Sequence, residues 1–375
     1  MIDLKTVKSL ITSKIINIPG WTTNRKIIVI ESDDWGSIRM PSIDVFNIFL
    51  KKGYKVDSCN FNRLDSLESN NDLIALYEVL SSFRDMYGNY PVFTANCLVA
   101  NPDFHKIKES FYTTYYYENV RETLLRYPNH DKVFELWHEG IRQNLFFPQF
   151  HGREHLNIQK WMKALKDDTD DIRFTFRYNT TYSGIDDYNY MGSFEQTCAD
   201  ELLYHAETIY DGLKIFKKLF GYSSKSFIAP CYIWSPLLEK TLAHNEVCYI
   251  QGNLIQLIPD TDHNKYNKKY HYLGQKNIYK QRYLLRNCSF EPALYKNNNP
   301  IEYTLNSIAS AFKWKKPAII SSHRINYIGS IYENNRTDNL MLLNNLIKNI
   351  LKQWPDAEFI SSDKLGDIIV ADEQR

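Results

Sequence analysis

The stretch Lys26-Ile27-Ile28-Val29-Ile30-Glu31-Ser32-Asp33-Asp34-Trp35-Gly36 constrains this chain more than any other. Its apolar, largely β-branched start reads as a strand buried on both faces, the kind found in parallel sheets covered by helices. The polar residues that follow then lie at the carboxyl end of the strand, where α/β sheets and barrels place their chemistry. Two adjacent aspartates cannot both be desolvated and ionised cheaply unless a cation or a proton relieves them. An Asp-Asp pair also suits a turn or a helix cap, so the dipeptide alone leaves both readings open.

The rest of the chain alternates strand and helix. Residues 1–25 read as a short amphipathic helical lead-in with a Pro19-Gly20 turn, and Ser42 as the cap of a helix carrying Phe46, Phe49 and Leu50. A helix from Asn71 to Tyr87 leads to a strand over Pro91–Asn96. A helix at 131–144 leads to a strand over Leu145–Phe150. Further units end in the strands Ser226–Pro230, Val247–Ile250, Ala318–Ser322 and Glu358–Ser361. This rhythm predicts a parallel α/β fold, a barrel-like domain over 26–375. Residues 259–300 break it, being rich in Asn, Lys and Tyr without a period, and are expected to form an insertion.

Composition narrows the function. A net charge of +1 over 375 residues argues against a general nucleic-acid or anionic-membrane surface. The six cysteines are scattered without a C-x-x-C pair, so reduced thiols are expected rather than a disulfide frame or zinc ribbon. No signal-peptide pattern opens the sequence and no apolar run has transmembrane length, which makes the cytoplasm the expected location.

Three further elements could join the aspartates. His151 and His155, four residues apart, would project from one side of a helical turn, close enough to share an ion. His323 follows a late strand, where a histidine can act as a general acid. Ala229-Pro230-Cys231-Tyr232-Ile233-Trp234 is a strand-end turn whose backbone N–H groups could face an oxyanion. Each has an ordinary structural reading; their order along the chain is what joins them.

That order resembles the polysaccharide deacetylase family, the NodB-homology domain of carbohydrate esterase family four. Its T-F-D-D-G, H-[ST]-x-x-H, R-x-x-P-Y and L-x-H motifs correspond to Glu31–Gly36, His151–His155, Phe227–Tyr232 and Ser321-Ser322-His323. The resemblance implies a distorted (β/α) barrel of about seven parallel strands. It also implies one divalent metal, usually zinc, with cobalt, nickel or manganese able to serve. Asp34, His151 and His155 would hold the metal, Asp33 would be the base and His323 the acid. Cys231 and Tyr232 would face the oxyanion, with Trp35 and Trp234 as further substrate contacts.

The sequence also departs from the pattern. Ile228 stands where the base-orienting arginine is usual, Cys231 separates Pro230 from Tyr232, and Gly152 replaces Ser or Thr. Arg39, Arg153 and Arg324 are the candidates to orient the base, and Gln251-Gly252-Asn253 could occupy the rim where a D-x-x-D-W motif is absent. The expected activity is removal of an acyl group, foremost N-acetyl, from a nucleotide- or lipid-linked sugar of surface-polysaccharide synthesis. Hydrolysis of another amide C–N bond, or sugar binding without turnover, are the alternatives.

Overall fold

Strand β1 (Lys26–Trp35) carries the apolar run and is buried from Ile27 to its end in the computed structural model, which describes residues 16–168, 171–183, 190–263, 265–295 and 299–374. Around it stand β2 (Phe93–Leu98), β3 (Phe146–Gly152), β4 (Ser226–Ile228), β5 (Tyr249–Gly252), β6 (Arg282–Leu285), β7 (Cys288–Ser289) and β8 (Ala318–His323). All pair in parallel, in the order β6-β5-β4-β3-β2-β1-β8-β7. β9 (Ala357–Phe359) pairs with the first residues of β1, ahead of the point at which β2 takes over.

β6 and β7 are two halves of one extended passage. The Arg286 amide donates to Gly252 O on β5 (2.9 Å), and the Asn287 amide donates to Ile319 O on β8 (3.2 Å). The chain thus changes neighbour between these two residues and joins the two ends of the sheet. With that passage taken once, the ring is a distorted (β/α) barrel of seven parallel staves.

Local chemistry sets the helices. Ser42 accepts the Val45 amide and caps Ile43–Lys52, which Gly53 ends at φ 97°. Ser69 and Asp72 form a capping box at the head of Asn70–Ser81. That helix stops short of the expected Tyr87 because Asp85 draws the chain into a turn, its Oδ1 accepting the amides of Tyr87 and Asn89. Inside and around the barrel, Phe93, Phe146, Phe150 and Phe227 share a core with Trp35 and Trp137.

Two expectations are corrected. The stretch 259–300 is not one insertion. It completes an antiparallel hairpin, Ile255–Asp260 with Lys265–Tyr270, and then supplies β6 and β7 to the barrel. Its polar composition hid Tyr283-Leu284-Leu285, which is buried on the barrel wall. Of the helical lead-in, residues 1–15 lie outside the described residues. Residues 16–25 form turns, with Gly20 so close to Leu273 that an added Cβ would stand 2.2 Å from its carbonyl oxygen.

Candidate metal centre

On a regular strand Asp33 and Asp34 would point to opposite faces. Here the pairing of β1 with β2 slips between Ser32 and Trp35, and Asp34 sits at φ 77°. Aspartate tolerates that left-handed region better than most residues. The irregularity turns both carboxylates toward the carboxyl end of the barrel, and both are buried.

His151 and His155 meet Asp34 there, but not from a helix. His151 is on β3 and His155 is in the following loop, ahead of the helix Ile158–Asp167 capped by Asn157. Gly152 at φ 139° makes the bend that a helix was expected to supply. The result is the same convergence. Asp34 Oδ1 lies 3.5 Å from His151 Nε2 and 3.3 Å from His155 Nε2. One ligand atom from each of the three residues falls within 4.8 Å of the others.

The donor set fits a divalent ion. With metal–ligand bonds of about 2.0–2.1 Å, ligands around a tetrahedral zinc stand about 3.3–3.4 Å apart, which the two Asp34 distances approach. His151 Nδ1 lies 2.9 Å from Ile228 O, so that nitrogen is the donor and Nε2 keeps its lone pair for a ligand. Burial, helped by the nearby Arg39 charge, outweighs Asp34 and lowers His155 to about 3, leaving a neutral imidazole.

Charge gives a second test. The connected cluster holds six carboxylates: Asp33, Asp34, Glu31, Asp65, Glu68 and Glu291. Its cations are Arg39, Arg286, Arg324 and a protonated His323. Counted as formal charges, two negatives remain; burial pushes the carboxyls of Glu31, Asp65 and Glu68 up, and a divalent cation at Asp34 would favour their ionised forms.

Asp33 is gripped from several sides. Arg286 Nη2 and Nη1 donate to its two oxygens at 2.6 and 2.7 Å, and Asn96 Nδ2 donates to Oδ1 at 2.7 Å. Burial raises its pKa, but the Arg286 charge and hydrogen bonds prevail and hold the carboxyl far below the usual range. His323, level with Asp33 in the β1–β8 register, places Nε2 3.8 Å from Asp33 Oδ2. Its Nδ1 lies 2.6 Å from Glu291 Oε1. Burial opposes the imidazolium, yet Glu291, with Asp33 and Asp34, lifts its pKa to about 9.

The other expected residues are placed as follows. Arg39 reaches Asp34 Oδ2 (3.2 Å) and Asp65, not Asp33. Arg153 pairs with Glu154 and Asp211, and Arg324 with Asp65 and Glu68 beneath the β1 turn. None of these three orients Asp33; Arg286 does, from the segment that sequence reasoning set aside. Its signal was the apolar triplet Tyr283-Leu284-Leu285 running into a charged residue, the same pattern that flagged Asp33. Gln251 lies under the site, accepting from Asn96 Nδ2 at 2.9 Å.

Trp35 is sealed in the core with Nε1 on Ser32 Oγ, and Trp234 is buried with Nε1 on Glu239. Neither lines the cavity, because each strand-end turn directs its ring inward to fill the barrel wall. Cys231 and Tyr232 do line it, both at positive φ (57° and 58°). The Tyr232 amide is spent on Ala229 O (3.0 Å). A cavity of about 260 Å³ holds Asp33, Asp34, His151 and His155. A second, of about 770 Å³, meets it at Cys231, Tyr232 and His323 and extends past Asn253, Tyr295 and Tyr303.

No protein-family model and no curated protein matches the chain. The solved structures it is similar to include a candidate polysaccharide deacetylase from Mycobacterium smegmatis, at 9% identity over 95% of this chain and 94% of that one, TM-score 0.45. Puue allantoinase is similar at 8% identity over 93% of each chain, TM-score 0.44. A CE4 family pseudoenzyme from Bacillus anthracis is similar at 9% identity over 90% of this chain and 64% of that one, TM-score 0.36. The chain is similar, at low identity, to the polysaccharide deacetylases.

Proposed function

We propose that this chain is a metal-dependent hydrolase that removes an acyl group, foremost N-acetyl, from a carbohydrate. The substrate is proposed to be a nucleotide- or lipid-linked intermediate of surface-polysaccharide synthesis. The observation that carries the reading is a buried three-ligand set beside a carboxylate and a protonated histidine at one cavity. Asp34, His151 and His155 would hold the ion. When bound, a divalent metal such as zinc lowers the pKa of a water from about 15.7 toward 7 and polarises a carbonyl.

The chain's own groups do the rest. Asp33, kept ionised by Arg286, takes the proton of the attacking water through the carboxylate face that Arg286 and Asn96 leave open. His323, kept charged by Glu291, donates a proton to the departing sugar nitrogen. The Cys231 amide, next to the spent Tyr232 amide, is the backbone donor for the oxyanion. The acyl group would sit in the smaller cavity with the ligands, and the departing sugar would lie across His323 in the larger one, whose lining includes Tyr295 and Tyr303.

The test is bound-metal analysis together with acid release from a panel of N-acylated sugars. Asp33→Asn and His323→Ala should each lower kcat by about 10²–10⁴-fold. Stoichiometric metal in a wild-type protein that releases no acid from the panel would replace this reading with that of a sugar-binding protein. Turnover confined to long polymers would remove the proposed substrate class.

A further inference from the structure

Glu31, like Asp65 and Glu68, is a buried carboxylate that the proposed reaction does not use. It lies two residues before Asp33 on β1, so both side chains face the same way. It has no exposed surface. Its Oε2 accepts Arg286 Nε at 2.6 Å, and its Oε1 accepts Ser362 Oγ at 2.5 Å. Ser362 opens the last helix, Ser362–Glu373, and its amide is fixed in turn on Thr94 Oγ1.

Sinking a second carboxylate beside one guanidinium carries a desolvation penalty that an apolar residue would avoid. The geometry indicates what the carboxylate does instead. Both Arg286 Nη atoms are committed to Asp33, forming a fork that fixes the two groups relative to each other. Asn96 Nδ2 ties Asp33 Oδ1 to β2 (2.7 Å), but on the arginine's side the fork leaves the guanidinium able to tilt about that anchor. Nε is the remaining donor nitrogen of the guanidinium, and Glu31 holds it against a wall whose other end is Ser362. The lateral contacts of Nη1 to Tyr232 Oη (3.1 Å) and Ser321 Oγ (3.3 Å) are longer.

We propose that Glu31 is a positioning residue for Asp33, acting through Arg286 and anchored by Ser362. This rests on the reading of Asp33 as the base. Its consequence is that loss of Glu31 lowers the rate of the chemical step while leaving the metal and the substrate bound.

Two readouts on the full chain test it. The first is kinetic. Glu31→Ala should lower kcat by about 100-fold and Glu31→Gln, which keeps an acceptor for Nε, by about tenfold, with KM and metal stoichiometry within about twofold of wild type. Ser362→Ala, which leaves Glu31 in place, should lower kcat by about fivefold and serves if the Glu31 variants fail to fold. A kcat within twofold of wild type in Glu31→Ala, or in Ser362→Ala where that is the variant that folds, overturns the proposal. So does a parallel rise in KM or loss of metal.

The second readout needs no turnover. The Arg286 Nε–H resonance, assigned by its absence in Arg286→Lys, should exchange slowly with solvent in wild type and at least tenfold faster in Glu31→Ala. Unchanged protection overturns the proposal even if the protein proves not to be a hydrolase. Lost protection in a protein without turnover leaves the Glu31 clamp standing and retires only the enzymatic reading.

Discussion

His323 holds its proton because Glu291 sits against its Nδ1, in surroundings that would otherwise strip the charge. A group whose folded pKa is raised to about 9 stabilises the fold fully below its unfolded value of about 6.5 and loses that contribution as pH rises through 9. The stability difference between wild type and His323→Ala should therefore shrink between pH 6.5 and 9, measured as urea midpoints across that range. In the proposed reaction the same proton sets the alkaline limb of kcat. Glu291→Gln should move that limb from about 9 down by at least about one pH unit, toward the ordinary histidine range, with metal content unchanged. His155→Ala removes one member of the ligand set. It should weaken metal binding by more than the roughly 10–100-fold that even an outer-shell change costs, read by competition with a chromogenic chelator.

Elements matter here for the ends they present. β1 and β8 are level at Asp33 and His323, β3 ends on His151, and the turn after β4 brings Cys231 and Tyr232 to the same rim. The apolar runs that build these strands are legible in the sequence, and so is the rim at which they end. The way the carboxylates and histidines are presented there is less legible. His151-x-x-x-His155 suits a helix by spacing, yet strand plus glycine bend produces the same meeting, because four residues can span it either way. Arg286 escaped notice because the strand it follows, β6, is four residues long and flanked by Lys and Asn. The Ser42 cap, by contrast, is visible in the sequence, and the Ser69–Asp72 box is seen in the structure. Ser69→Ala dismantles the box over Asn70–Ser81 and should cost about 1 kcal/mol in urea unfolding, without changing metal affinity.

For the whole molecule, a buried cluster whose formal charge is two negatives in excess would make the fold and a bound ion interdependent. A bound divalent cation should stabilise the chain by about 2.7 kcal/mol when free metal stands at about 100 times its Kd, so chelation should lower the urea midpoint. The effect should be lost in Asp34→Asn, which removes both a ligand and a charge. Barrel closure belongs to this scale too. Leu284, fully buried on the closing passage, should cost about 2–5 kcal/mol as Leu284→Ala.

The stave that changes neighbour between Arg286 and Asn287 is also the one whose arginine grips Asp33. Unzipping the wall at that seam and releasing the carboxylate are then one event. The protein would have no state that is ajar yet competent, so heat inactivation should track the loss of amide protection in 282–289 and not that of the outer helices.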